Sequence, residues 1–313
     1  MRVSLIIPLY NEEATVDRLL SSIAGQALLP AEVLCVDAGS ADATAERIAG
    51  FKAPFPLRLV RRGRLNPGEA RNEGVRLAAN EWLAFTDAGI TLDPLWLARL
   101  VGAARPGVDV VFGSYEPVCD TFFRRCAALA YVAPYAREGI RGPFVASMAL
   151  TRQSFDRAGG FPSSRASEDL VFLERLRALP LCFAFAPTAV VHWQTAPGPL
   201  ATFRRFAVYS EANLSAGRGR FWHRGLLRQY VVVSAVLASG GLWFGTASLG
   251  VVPAWLLARA TRAAWSKRNS LPFPTGRPSH LLGAAALLTL IDAATFVGAL
   301  RFWVRRRSTS RRF

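Results

Sequence analysis

The chain has 313 residues, of which 51% are hydrophobic and 19% charged, and its mean hydropathy is +0.23. That length allows about two ordinary domains, and the apolar content excludes a disordered or low-complexity chain. The net charge of +16 is unevenly placed: residues 1–200 hold 21 Lys and Arg against 20 Asp and Glu, whereas residues 201–313 hold 17 against 2. Basic clusters in that last third alternate with long apolar runs. The pattern points to a membrane surface and away from nucleic acid, because anionic lipid attracts Arg and Lys flanking buried segments. Cys35, Cys119, Cys126 and Cys182 form no CxxC pair and no metal-ligand spacing. A disulfide framework or structural zinc is thereby disfavoured, and a reducing compartment fits. The opening MRVSLIIPLYNEE turns polar too soon for a secretory signal, which keeps the N-terminal part in the cytoplasm.

In chain order, Val3–Pro8 reads as a strand, and Glu12–Gly25 as a helix with Val16, Leu19, Leu20 and Ile23 on one face. Val33–Asp37 predicts the next strand, followed by a helix from about Ala41 to Ile48. Leu57–Val60 is strand-like, Pro67–Ala79 helical, Trp82–Thr86 a strand, Pro94–Ala104 helical and Val108–Gly113 again a strand. Continuous apolar strands separated by helices predict a doubly wound α/β domain with a mainly parallel sheet covered on both faces.

The tail is different in kind. Between Arg228 and Arg259 there is no Asp, Glu, Lys or Arg, and Leu281–Leu300 carries one charge, Asp292. Both runs reach the roughly 20 apolar residues that span a bilayer. Trp303 and six arginines from Arg301 onward follow the second. Two full spans would place Arg259, Arg262, Lys267, Arg268 and Arg277 outside. Gly240-Gly241, Gly245, Gly250 and Pro253 equally allow the first run to bend back as a re-entrant hairpin. The chain thus divides into an α/β domain over 1–200, a basic connecting helix or loop over 201–228, and membrane-associated helices with an Arg-rich tail over 229–313.

Ligands of such a sheet bind at the carboxyl ends of its strands. The polar residues there are Tyr10-Asn11-Glu12, Asp37-Ala38-Gly39-Ser40 and Asp87-Ala88-Gly89. No GxGxxG follows the first strand and no Walker lysine motif is present, which argues against a hydride-transfer enzyme. Four blocks in order, IIPLYNEEATVDRLLSSI, EVLCVDAGSADATAE, GEARNEGVRLAANEWLAFTDAG and GGFPSSRASEDLVFLERL, resemble the family 2 glycosyltransferases, whose fold is GT-A. Together they cover about residues 3–193.

The resemblance implies the following roles. Pro8, Tyr10 and Glu12 line a nucleotide pocket, Asp37 hydrogen-bonds the base, and Arg71 approaches the nucleotide or its phosphates. Asp-Ala-Gly-Ser equally reads as a turn. Asp87 bears on a divalent cation, Mn2+ or Mg2+, that bridges the two phosphates. Most members carry a second carboxylate where this chain has Gly89, so the ion has one fewer protein ligand. His192 stands where members often offer a histidine to that metal; a lone histidine is also commonly structural. Asp169, with Glu168 beside it, is the implied general base, although acidic residues also complement a helix N-terminus. Processive members carry Gln-x-x-Arg-Trp, which is absent here, so transfer of a single sugar is expected. The expected partners are a nucleotide-diphosphate sugar donor, a lipid or glycan acceptor and a membrane, with no nucleic acid. The expected location is the cytoplasmic face of the cell membrane, the inner membrane of a bacterium. The rival reading is a membrane-bound GT-A-like binding or scaffold protein without turnover.

Overall fold

The computed structural model describes residues 1–137, 139–163 and 167–310. In chain order its first elements are β1 (Val3–Leu9), α1 (Val16–Ala24), β2 (Glu32–Asp37), α2 (Thr44–Gly50), β3 (Leu57–Arg61), α3 (Pro67–Leu77) and β4 (Trp82–Phe85). There follow β5 (Ile90–Leu92), α4 (Trp96–Ala103), β6 (Val110–Pro117), α5 (Phe122–Tyr131), β7 (Met148–Thr151), α6 (Arg152–Arg157), α7 (Glu168–Ala178) and β8 (Phe183–Trp193). The last are α8 (Pro199–Ser215), α9 (Gly219–Phe244), a 3-10 turn (Gly245–Gly250), α10 (Val251–Ser266) and α11 (Pro278–Ser310). These elements make two compact units, one of Met1–Val118 with Tyr135–Gln194, the other of Cys119–Pro134 with Thr195–Phe313.

The first unit is built on a sheet of eight described strands in the order β3-β2-β1-β4-β7-β6-β8-β5. Strands β3, β2, β1 and β4 are mutually parallel, as the βα repeats require. Beyond β4 the sheet is mixed: β7 is antiparallel to β4 and β6, and β5 is antiparallel to β8. Alternation along β1 sorts the core. Leu5, Ile7 and Leu9 pack with Val16, Leu19, Leu20 and Ile23 of α1 and Trp96 of α4. Ile6 faces the other way, into a cluster with Phe85, Phe155, Phe172 and Leu176. Helices therefore cover both faces, which is the doubly wound arrangement.

Strands β5, β7 and β8 were not legible from the pattern. β5 and β7 are too short to show a period. β8 contains Pro187, which cannot donate to a ladder, and there the register with β6 jumps from Phe112↔Phe185 to Ser114↔Val190. The irregularity carries the proline.

The second unit is helical. Among its described residues α11 packs along one face: Ala284, Leu287, Ile291 and Ala294 are buried, and the helix contacts α5, α8 and α10, while Leu282, Leu300 and Trp303 are exposed. Two helical segments, Trp222–Trp243 and Pro278–Arg307, are long and apolar enough to cross a membrane by length and composition.

Candidate active site

The site grows from the carboxyl ends of β1, β2 and β4. Pro8 lies half-buried in β1, paired with Val36 of β2, and Tyr10 stands 50% exposed just past the strand. Asn11 takes a left-handed φ of 55°, a conformation its short amide tolerates better than most side chains. This loop is stitched to the one after β2: Asn11 N donates to Ser40 Oγ at 2.9 Å, Ala41 N to Asn11 Oδ1 at 2.9 Å and Glu12 N to Thr44 Oγ1 at 2.7 Å. Helix α1 consequently starts at Val16, later than its apolar spacing predicts, because Glu12 and its neighbours serve the loop. Asp37 is 1% exposed and accepts from Ser40 N at 3.0 Å. The turn reading of Asp37 is thus real, yet it uses only Oδ1. Among the described residues Oδ2 has no hydrogen-bond partner, which leaves one acceptor for a ligand.

Arg71 joins the rest. Helix α3 opens with a capping box, Asn66 accepting from Glu69 N at 2.9 Å while the Glu69 carboxylate accepts from Asn66 N at 2.9 Å. Pro67 supplies the first helical position, where its missing N–H costs nothing. The helix sits hard against the sheet because position 74 is glycine: a Cβ there would collide with Ile6 Cγ2. On its other side Asn72 exchanges two bonds with Phe161, Nδ2 donating to the carbonyl at 2.8 Å and Oδ1 accepting from the amide at 2.9 Å. Arg71, 2% exposed, is carried between these supports.

Its guanidinium collects the acids. Nη2 donates to Asp87 Oδ1 at 2.6 Å, Nη1 donates to Asp169 Oδ1 at 2.8 Å, and Glu168 Oε1 stands 3.8 Å from Nη1. The Phe161 ring lies against the guanidinium, 5.2 Å from its carbon. Asp87 follows β4; Glu168 and Asp169 open α7, preceded by Ser167 at a strained φ of 68°. Carboxylates 82 residues apart in the chain, Asp87 and Asp169, therefore meet on one cation. Three carboxylates face one guanidinium, and the surplus negative charge has electrostatic consequences. Burial, with Asp169 adding to it, pushes Glu168 up to about 7. Asp169 is pushed up as well by burial and by Asp87, against the pull of Arg71. Burial disfavours the charge on Arg71, but Asp169 and Asp87 outweigh it and hold the guanidinium protonated.

A divalent cation can be tested against this donor set. Oδ2 of Asp87 and Oδ2 of Asp169 have no hydrogen-bond partner among the described residues, and the Asp87 side chain is 31% exposed. His192 lies on β8 opposite Thr91 of β5, while Gly89, with φ +75°, accepts a long bond from Gln194 N. Among the described residues no group of three or more His, Cys, Asp and Glu side chains converges as a metal cage. One open carboxylate oxygen at Asp87 fits a hard cation that takes its remaining ligands from phosphate and water, as Mg2+ commonly does.

Sequence reasoning missed the mutual pairing of Arg71, Asp87 and Asp169, and the two asparagines that support it. Asn66 ahead of Pro67 was a readable cap signal. Nothing local marked Asn72.

The first unit is thus an α/β domain with a doubly wound sheet, linked loops past β1 and β2 and an acid cluster on Arg71 past β4. The family model described as Glycosyl transferase family 2 matches residues 4–160, and the chain belongs to that family. Validoxylamine A glucosyltransferase of Streptomyces hygroscopicus subsp. limoneus is 34% identical over 124 residues, 37% of this chain and 27% of that protein. An undecaprenyl-phosphate 4-deoxy-4-formamido-L-arabinose transferase of Aeromonas hydrophila is 35% identical over 134 residues, 40% of each chain. The matches thus span well under half the length of these curated relatives. A mannosyltransferase of Pyrobaculum calidifontis, solved with GDP-Man and Mn2+, superposes with a TM-score of 0.55 over 96% of this chain and 87% of that one, at 21% identity. That likeness carries the GT-A fold.

Proposed function

We propose that this chain moves a single sugar from a nucleotide-diphosphate sugar to an acceptor hydroxyl, with inversion, by direct displacement. The observation that carries the reading is the convergence of Asp87 and Asp169 on Arg71. Pro8, Tyr10, Glu12 and Asp37 form the nucleotide cradle, with the open Oδ2 of Asp37 accepting from the base. Asp87 holds a divalent cation, Mn2+ or Mg2+, through its open oxygen, with His192 as a second ligand. When bound, that ion neutralises charge on the departing diphosphate. Asp169 Oδ2 takes the proton of the acceptor hydroxyl as its oxygen bonds to the anomeric carbon and the bond to the diphosphate breaks, a contribution of about 10²–10⁴-fold. Arg71 aligns the two carboxylates and opposes the burial that pushes the Asp169 carboxyl up. Its burial and its two carboxylate partners support this role over direct phosphate contact.

The acceptor is a lipid or lipid-linked glycan at the cytoplasmic face of a membrane. The two long apolar helices and the relative that acts on undecaprenyl phosphate support this part. Gly89 favours one other reading, a binding or scaffold protein without turnover. Consumption of nucleotide sugars by purified protein, with and without Mn2+ or Mg2+, decides between them. Cation-dependent release of nucleoside diphosphate is expected. Nucleotide binding with no release under any donor would establish the scaffold.

A further inference from the structure

The second unit exposes large apolar side chains on several helices, and the two most exposed, Leu242 and Trp243, stand at the tip of a hairpin. Helix α9 runs out to Phe244, the 3-10 turn reverses the chain, and α10 returns. The reversal is close. A Cβ at Gly240 would stand 3.2 Å from Ser248 Cβ, and Gly245 takes φ +57°, where an L side chain is strained. At the tip Leu242 is 86%, Trp243 82% and Leu249 64% exposed. Between Gln229 and Ala258 there is no Asp, Glu, Lys or Arg.

The base of the hairpin is polar and locked. The Tyr230 and Trp255 rings meet edge to face at 5.2 Å, joining the two arms. Arg259 grips Asp292 of α11 through two bonds, of 2.5 and 3.0 Å, and Tyr230 Oη donates to the same carboxylate at 3.0 Å. From Tyr230 to Phe244 the outgoing arm rises about 21 Å. From Trp255 back through the 3-10 turn the returning arm measures about 18 Å. Both lengths agree, so the bare part projects about 20 Å, more than one leaflet but short of the roughly 30 Å hydrocarbon core.

Basic residues bracket that base on both sides: Arg220, Arg224 and Arg228 before it, Arg262 and Arg268 after it. A hairpin keeps all of them on one side of a membrane, where two full spans would divide them against the usual bias of Lys and Arg to one face. We propose that the α9–α10 hairpin is a monotopic anchor. It dips into the hydrocarbon without reaching the far face and returns to the side it entered from, with its arginines on anionic headgroups. The inference rests on the membrane attachment proposed above and specifies its geometry. It makes α9 an anchor that does not cross.

Impermeant-maleimide labelling of the full chain in right-side-out and inside-out vesicles tests it, with the parent's labelling subtracted. Thr246→Cys at the tip is expected to stay unlabelled from either side and to react once detergent is added. Arg220→Cys is expected to react from one side only. Labelling of Thr246→Cys from the side opposite Arg220→Cys would overturn the hairpin in favour of two spans, leaving membrane attachment intact. Labelling of both from the same side in intact vesicles would show the tip outside the bilayer. In parallel, Leu242→Asp with Trp243→Asp, both at unpacked positions, should weaken partition into phosphatidylcholine–phosphatidylglycerol vesicles at least about tenfold, with nucleotide binding unchanged. Unaltered partition would also overturn the proposal. If the parent chain fails to sediment with such vesicles, the membrane reading itself fails.

Discussion

Replacing Arg71 with methionine removes the one cation that three carboxylates share. The side chain's volume and apolar stem are largely kept, so the effect reads electrostatics and hydrogen bonding. Arg71 makes two charge-assisted bonds, 2.6 Å to Asp87 and 2.8 Å to Asp169, each worth about 1.5–3 kcal/mol. The two acids are 31% and 36% exposed at their side chains, so water recovers part of the loss and the low end applies. The expected destabilisation is about 3 kcal/mol at pH 8, matching the lower edge for stripping one partner from a buried pair. A loss of that size lowers the melting temperature by about 6–12 °C. At pH 5, Glu168 is protonated in both proteins and less negative charge is left unpaired, so the deficit shrinks. Arg71→Lys keeps the charge but not the fork, and recovers about half. Turnover of Arg71→Lys should fall by about 10²-fold, because small displacements of the acids are costly, while its donor KM stays within about threefold. A melting temperature of Arg71→Met within 1 °C of the parent at pH 8 would refute the strut. So would a Lys variant whose defect lies wholly in donor KM, which would put Arg71 on the phosphates.

Asp169→Asn is expected to reduce transfer by about 10²–10⁴-fold while calorimetric nucleotide affinity stays nearly unchanged; normal transfer would remove Asp169 as the base. Asp87→Ala should weaken both cation-dependent nucleotide binding and turnover, checked by titration with and without Mn2+. Glu168 has a folded-state value raised to about 7, so its ionisation costs stability as the pH climbs from the unfolded carboxylate range through neutrality. Glu168→Gln should therefore melt higher at pH 8, by up to about 3 kcal/mol, and match the parent near pH 4. Gly74→Ala drives a methyl into Ile6 Cγ2 and should cost about 1–3 kcal/mol on thermal denaturation.

Apolar strands alternating with helices were enough to read β1 to β4 and both faces of the sheet. The polar loops at their ends also brought Asp37 and Asp87 into view, and the resemblance added Asp169. What stayed hidden was non-local. β7 reverses against β4, and β8 reaches β6 across a proline bulge; neither pairing leaves a period in the chain. The resemblance puts Arg71 on the nucleotide or its phosphates, and nothing local marks its acidic partners because they lie 16 and 98 residues away. In the tail, missing charge located the apolar runs, but hydropathy does not register that Arg259 answers Asp292. Without that pair, a hairpin and two spans have the same composition.

An anomalous-difference map from crystals of the chain grown with Mn2+ and a nucleoside diphosphate bears most directly on how the acids are used. The expected result is a manganese peak in coordination distance of Asp87, the base of the nucleotide beside Asp37, and Asp169 uncoordinated across the cleft from the diphosphate. Manganese bound by Asp169, or a nucleotide seated away from the ends of β1 and β2, would contradict it.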